Sequence, residues 1–227
     1  MAFVACIQPA WSASWDLAAD WSNANNPNGV WTIGGYDPVS GIWTTWSTLC
    51  TDWLGNIGQS AWGFPGTPGL FKSVGGLWGV PVGRVGGHTM APGSAYMAAK
   101  WTAPADMVVN IVGDAYTPFD PTNRPAAVGL YVKNVVVVDG VAIPDTATAA
   151  NPFTLVAAGG GGALLNVSVL QGQTIILGVR SMPTEIGYAG PNAMDLTISQ
   201  VPEPGALGVL STGIISLFGL AVRRRRR

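Results

Sequence analysis

From Tyr96 to Gln200 the chain reads as short apolar runs divided by glycine-rich or polar turns, with no apolar repeat at helical spacing. Runs of this length suit strands and are too short for ordinary helices, so they restrict the fold to a β-rich one. Met107–Asp114 alternates cleanly, with Met107, Val109 and Ile111 on one face and Val108, Asn110, Val112 and Asp114 on the other. After the loop at Tyr116–Pro125, strands are expected at Val128–Asn134, Val135–Val138 and Val141–Ile143. Asp139-Gly140 is the strongest two-residue hairpin signal between the last two. Further strands are expected at Phe153–Ala157, Leu164–Leu170, Thr174–Arg180 and Leu196–Gln200, separated by Gly159–Gly162 and Gln171-Gly172-Gln173. Strand–turn units at this spacing predict an all-β protein, an antiparallel β-sandwich of jelly-roll type occupying residues 14–200 as one domain.

Composition supports the same class. The chain holds 31 glycines and 17 prolines, and its ten aspartates against two glutamates favour turns and caps over helix bodies. Without the five terminal arginines, six basic residues face twelve acidic ones, a net charge of −6. That balance argues against nucleic acid as a partner and against adsorption to anionic lipid. The glycine-rich stretch from Gly55 to Gly93 carries no GxxxxGK[ST] order, so it is not a phosphate cradle; short strands are expected at Leu70–Val74 and Leu77–Val80, with Gly75-Gly76 as the turn. His88 is the single histidine, which leaves a zinc site without a second imidazole and suits a satisfied loop or core residue. There is no CxxC, HExxH or GxSxG, so neither a catalytic set nor a cofactor is implied. Asp114, Asp120 and Asp195 are the oxygen donors to weigh for calcium, against the plainer reading of turn-stabilising aspartates.

Five of the ten tryptophans, Trp31, Trp43, Trp46, Trp53 and Trp62, crowd one early region, whereas the later strands contain only Trp101. Two readings stand: indoles packed in a sandwich core, or an exposed platform whose faces stack on the C–H faces of sugars. Trp43 and Trp46 lie three residues apart and cannot share one face of a regular strand. The crowding favours a surface patch with at least two of the five indoles exposed on one face.

The C-terminus combines three pieces: Val201-Pro202-Glu203-Pro204, the uncharged stretch 205–222, and Arg223, Arg224, Arg225, Arg226 and Arg227. The prolines hold the strip extended and accessible. As a helix the uncharged stretch would rise about 27 Å, close to the hydrocarbon core of about 30 Å. The arginines would stop it on the cytoplasmic side, leaving residues 14–200 outside. This tail resembles the PEP-CTERM sorting signal of exported bacterial proteins. The resemblance implies recognition by exosortase, an inner-membrane cysteine transpeptidase, with cutting near the Pro-Glu-Pro strip. Asn26-Pro27-Asn28-Gly29-Val30-Trp31 and Trp101-Thr102-Ala103-Pro104 are similar to blocks in ectodomains of that family, where they imply β-sandwich strands with a suspected sugar-binding role. At the other end, residues 1–13 read as the remnant of a signal peptide, apolar and rich in small residues; no Lys or Arg precedes Lys72. Cys6 falls in that segment, which leaves Cys50 as a single thiol.

The expectation is an exported, non-enzymatic surface or matrix protein, anchored in the inner membrane as a precursor, sorted by exosortase, and binding extracellular polysaccharide. Its competitors are a small polysaccharide hydrolase with an Asp-based site and a permanently tail-anchored inner-membrane protein. Two carboxylates about 5–10 Å apart in one groove would favour the hydrolase.

Overall fold

A computed structural model of the chain describes residues 12–89, 95–119, 124–182 and 190–202. Among these residues, alternating sequence becomes two antiparallel sheets. The larger contains β1 (Ser14–Asp16), β4 (Leu49–Cys50), β5 (Ala61–Gly63), β6 (Gly69–Lys72), β7 (Val85–His88), β9 (Met107–Tyr116), β12 (Phe153–Thr154), β13 (Val167–Val169) and β15 (Pro191–Gln200). The smaller contains β2 (Trp31–Asp37), β3 (Ile42–Thr45), β8 (Tyr96–Thr102), β10 (Ala126–Val132), β11 (Val135–Ala142) and β14 (Thr174–Ser181). Its order is β11-β10-β14-β8-β2-β3, while the larger sheet runs β12-β9-β15-β7-β6-β5-β4 with β1 added to β15 and β13 to β9. The helical elements described are turns of three to five residues.

The two sheets share one core. Ile33, Met97, Trp101, Val128, Leu130, Ile175 and Leu177 contribute from the smaller sheet, and Leu70, Val85, Val109, Ile111, Met194, Leu196 and Ile198 from the larger. Each fully buried side chain of this size stabilises the sandwich by about 1.5–3 kcal/mol relative to exposure. The faces of β9 follow the alternation: Val109 and Ile111 are buried, while Val108 and Val112 point outward. The Asn-Pro-Asn-Gly block is a brace between loops. Gly29 takes the left-handed φ of 57° that its turn requires. The Asn26 amide donates to the carbonyls of Ile33 (2.8 Å) and Trp46 (2.6 Å) and accepts from the Ile33 N–H.

Two local expectations are corrected. Asp139-Gly140 is not the hairpin turn, because β11 runs straight through it. The chain reverses instead at Lys133-Asn134, both left-handed (φ 54° and 63°), between the paired residues Val132 and Val135. Asp139-Gly140 forms an irregularity within β11, with the register shifting on both sides of Leu130. Leu77–Val80 is not a strand either. Leu77–Gly79 makes a 3-10 turn, and the partner of β6 is β7, further along the chain.

No helix among the described residues is long and apolar enough to cross a membrane. Residues 205–222, where the sequence predicts the span, lie outside them, as do Cys6, Asp120, Glu203, Pro204 and Arg223 to Arg227.

Candidate functional site

The outward face of the smaller sheet is built in two tiers. Across its middle runs a row of small residues, Gly34 in β2, Ala98 in β8, Gly178 in β14 and Gly129 in β10, each paired with the next. Over this trough lie the rings of Tyr36, Tyr96 and Tyr131 with Ile176, a second apolar cluster separate from the main core, with Trp43 packed against it. The glycines make the arrangement possible. A Cβ on Gly129 would sit 2.7 Å from the Tyr96 ring, and one on Gly34 would sit 2.8 Å from the Trp43 ring.

Polar groups lock the rings. The Tyr96 and Tyr131 hydroxyls both donate to Asp139 Oδ1 at 2.6 Å, and the Gly140 N–H donates to the Tyr96 hydroxyl at 2.9 Å. The irregularity in β11 therefore aims a carboxylate at two phenols. Burial, then the hydrogen bond to Asp139, push the Tyr96 phenol up to about 12, and Tyr131 rises for the same reasons. Burial works to raise the Asp139 carboxyl, but hydrogen bonds from Tyr131 and Tyr96 and the charge of Arg180 outweigh it and hold it below its usual value.

Beside these rings a groove of about 490 Å³ opens, lined by Tyr36, Gly41, Trp43, Lys100, Lys133, Asn134, Gln171, Gly172, Gln173, Thr174 and Ile176. Strands β3, β8 and β14 supply Trp43, Lys100 and Thr174, while the turns at 133–134 and 171–173 supply amides and a second lysine. Trp43 is half-buried, and its indole N–H donates to Thr45 Oγ1 at 3.0 Å. The Lys100 ammonium lies 4.4 Å from the Trp43 ring centroid. Burial lowers its pKa. Lys133 Nζ donates to the Ser168 carbonyl at 3.0 Å. An indole, side-chain amides and ammonium groups around one concavity can pack a pyranose and hydrogen-bond its hydroxyls. A sugar stacking on the face that Lys100 covers has to displace a cation–π contact of about 0.5–1 kcal/mol. Tyr36 also borders a second groove of about 340 Å³ lined by Ile42, Trp46, Phe64 and Met97.

The expected patch of several exposed indoles is overturned. Trp31, Trp46, Trp53 and Trp62 are buried in the main core, between 1% and 5% exposed. Their crowding follows from loops closing over one end of the core, where indole N–H groups serve as ties. Trp31 donates to Asp20 Oδ2, Trp53 to the carbonyls of Phe64 and Gly66, and Trp62 to the Ser22 carbonyl. Trp43 alone of the five remains accessible, and Trp46, three residues on, points the other way into the core.

Asp114 and Asp195 do face each other across β9 and β15. Arg84 forms a salt bridge with Asp114, and the described residues hold no group of three acidic, His or Cys side chains able to bind a metal. Burial first, then the negative charge of Asp16, raise the Asp195 carboxyl. This facing pair belongs to the larger sheet. Among the described residues, the lining of the Trp43 groove carries no carboxylate. His88 lies half-buried on β7, 5.5 Å from the Trp78 ring, with its pKa lowered by burial. Cys50 is a free, half-buried thiol in β4.

At the end of the described chain, Val201 is half-buried and its N–H donates to the Val108 carbonyl at 2.8 Å, whereas Pro202 is exposed and non-helical. Sequence reasoning missed Lys100, Lys133, Asn134, Gln171 and the tyrosine–Asp139 set. A signal for part of it exists: Tyr96, Ala98 and Lys100 alternate on one face of β8, as Thr32, Gly34 and Tyr36 do on β2. No protein-family model, curated protein or solved structure matches this chain.

Proposed function

We propose that the protein is an exported surface or matrix component, a jelly-roll-type sandwich delivered by exosortase through its Val201–Arg227 signal, and that it binds extracellular polysaccharide in the Trp43 groove. The single observation that carries the binding reading is the groove's make-up: an accessible indole beside Lys100, Asn134, Gln171 and Gln173. Sorting is supported by the order of the tail in the sequence and by Pro202, which is exposed and non-helical.

Two measurements test the two halves. Soluble neutral and acidic polysaccharides should quench or shift the tryptophan fluorescence of the full chain, and Trp43→Ala should abolish that response while the melting transition stays in place. An unchanged response in Trp43→Ala removes the groove from the function. For sorting, intact-mass analysis of the native protein should find a mature form ending near Pro204. Glu203→Ala should leave folding intact and block that processing; normal levels of the processed form in this variant would remove Glu203 from recognition.

A further inference from the structure

We infer that the groove is selective for acidic polysaccharide, with a carboxylate-bearing sugar such as a uronic acid seated between Lys100 and Lys133. This rests on the polysaccharide-binding reading and narrows its ligand.

The argument starts from a charge out of place. Outside the arginine tail the chain is acidic, yet both charged residues lining this groove are lysines. Among the described residues neither lysine pairs with a carboxylate, whereas Arg84 pairs with Asp114. Lys133 contacts a backbone carbonyl and Lys100 an aromatic ring. Holding Lys100 half-buried without a counter-charge disfavours its ammonium form, and the lowered pKa agrees with that geometry. A carboxylate entering the groove supplies the missing charge and favours the ammonium form. The turn at 133–134 fixes the position of the second lysine, because both of its residues take left-handed conformations that follow from the tight β10–β11 connection. Asn134 and Gln171, both exposed at the rim, remain to hydrogen-bond hydroxyls of the same sugar. The net negative charge of the chain outside the arginine tail acts in the same direction, since it disfavours nonspecific association with polyanions.

The test compares polygalacturonate with its fully methyl-esterified form, which keeps the backbone and removes the charge. With the full chain, the acid form should bind at least about tenfold more tightly than the ester, the difference expected of one charge-assisted hydrogen bond. The gap should shrink as salt rises. Lys100→Gln and Lys133→Gln should each weaken binding of the acid more than binding of the ester and so narrow the gap between them. Lys133 is exposed, so its variant keeps the test decisive should Lys100→Gln misfold. Equal binding of acid and ester, or lysine variants that bind the acid normally, overturns the selectivity while leaving the polysaccharide reading in place. Binding of the acid that survives Trp43→Ala marks nonspecific polyanion adsorption and overturns it as well. Binding of neither these polymers nor neutral dextran removes the polysaccharide reading and the selectivity together.

Discussion

The two outward faces of this sandwich begin from the same alternation and end in different chemistry. On the larger sheet the outward positions of β1 and those of β15 from Asp195 to Ser199 are polar, and those of β9 mix Asn110 and Asp114 with the exposed Val108 and Val112. Ser14 meets Ser199, Thr197 donates to Asp16, and Arg84 pairs with Asp114 beside Asp195. On the smaller sheet the outward positions alternate between rings and residues with little or no side chain, and Tyr96 and Tyr131 end up only 1% and 2% exposed. Outward orientation therefore does not fix solvation. An aromatic ring beside a glycine on the neighbouring strand lies down over the sheet and becomes buried there, whereas short polar side chains stand up and stay wet.

Filling the trough should produce the largest effect. Gly178→Val would press on Tyr96 Cβ, 2.7 Å from the new Cβ, and on the Met97 carbonyl at 3.1 Å. A cost of about 3 kcal/mol is expected from overpacking, read as a lower denaturant midpoint. Gly75→Ala, in open space between β6 and β7, should change stability by less than about 0.5 kcal/mol. Similar losses in the two variants would dissolve the contrast between the faces.

Alkaline pH should loosen the ringed face next. The free phenol ionises near 10 and Tyr96 in the fold near 12. Across that window the unfolded chain releases a proton that the folded one keeps, so stability falls as pH rises. Tyrosinate absorbance should show Tyr96 and Tyr131 among the late-titrating phenols, with Tyr36 and Tyr116 also raised by burial. Asp139→Asn should bring the ionisation of Tyr96 and Tyr131 to lower pH by removing the carboxylate that favours the neutral ring. Phenols that all titrate together near pH 10 would remove the network from the account.

The smallest effect belongs to the polar face. Because the folded Asp195 carboxyl is raised above its free value of 3.8, its contribution is favourable at low pH and is lost as pH rises through the folded value. Asp195→Asn should therefore raise the melting temperature at pH 7 and not at pH 3, keeping the hydrogen bond that the Leu196 N–H donates to its side-chain oxygen. A lower melting temperature at pH 7 would mean that the attraction of Arg84 outweighs burial and the charges of Asp16 and Asp114.

Much of the fold was legible because burial follows alternation. The two faces of β9 and the opposite directions of Trp43 and Trp46 could be read from spacing alone. The hairpin was misplaced because Asp-Gly suits both a turn and a strand irregularity; the decision fell to Tyr96 and Tyr131, partners far away in sequence that claim the Asp139 side chain. Tryptophan crowding misled for a related reason. Local density cannot reveal that loops fold back to cover indoles, as Ser22 does for Trp62, forty residues away. The groove itself was hidden because Trp43, Lys100, Lys133 and Gln171 converge only once the strand order β10-β14-β8-β2-β3 is set.

The row Gly34–Ala98–Gly178–Gly129 also bears on how the sheet finds its alignment. Strands slide easily during assembly, and a slip by one residue exchanges the two faces. In β14 such a slip would replace Gly178 by Leu177 or Val179, where contact with Tyr96 leaves no room for a side chain. A slip by two would bring Ile176 or Arg180 to the same spot. Misaligned pairings thus meet a steric clash that the native one avoids, so the tyrosine rings act as a gauge that fits one register of the four central strands.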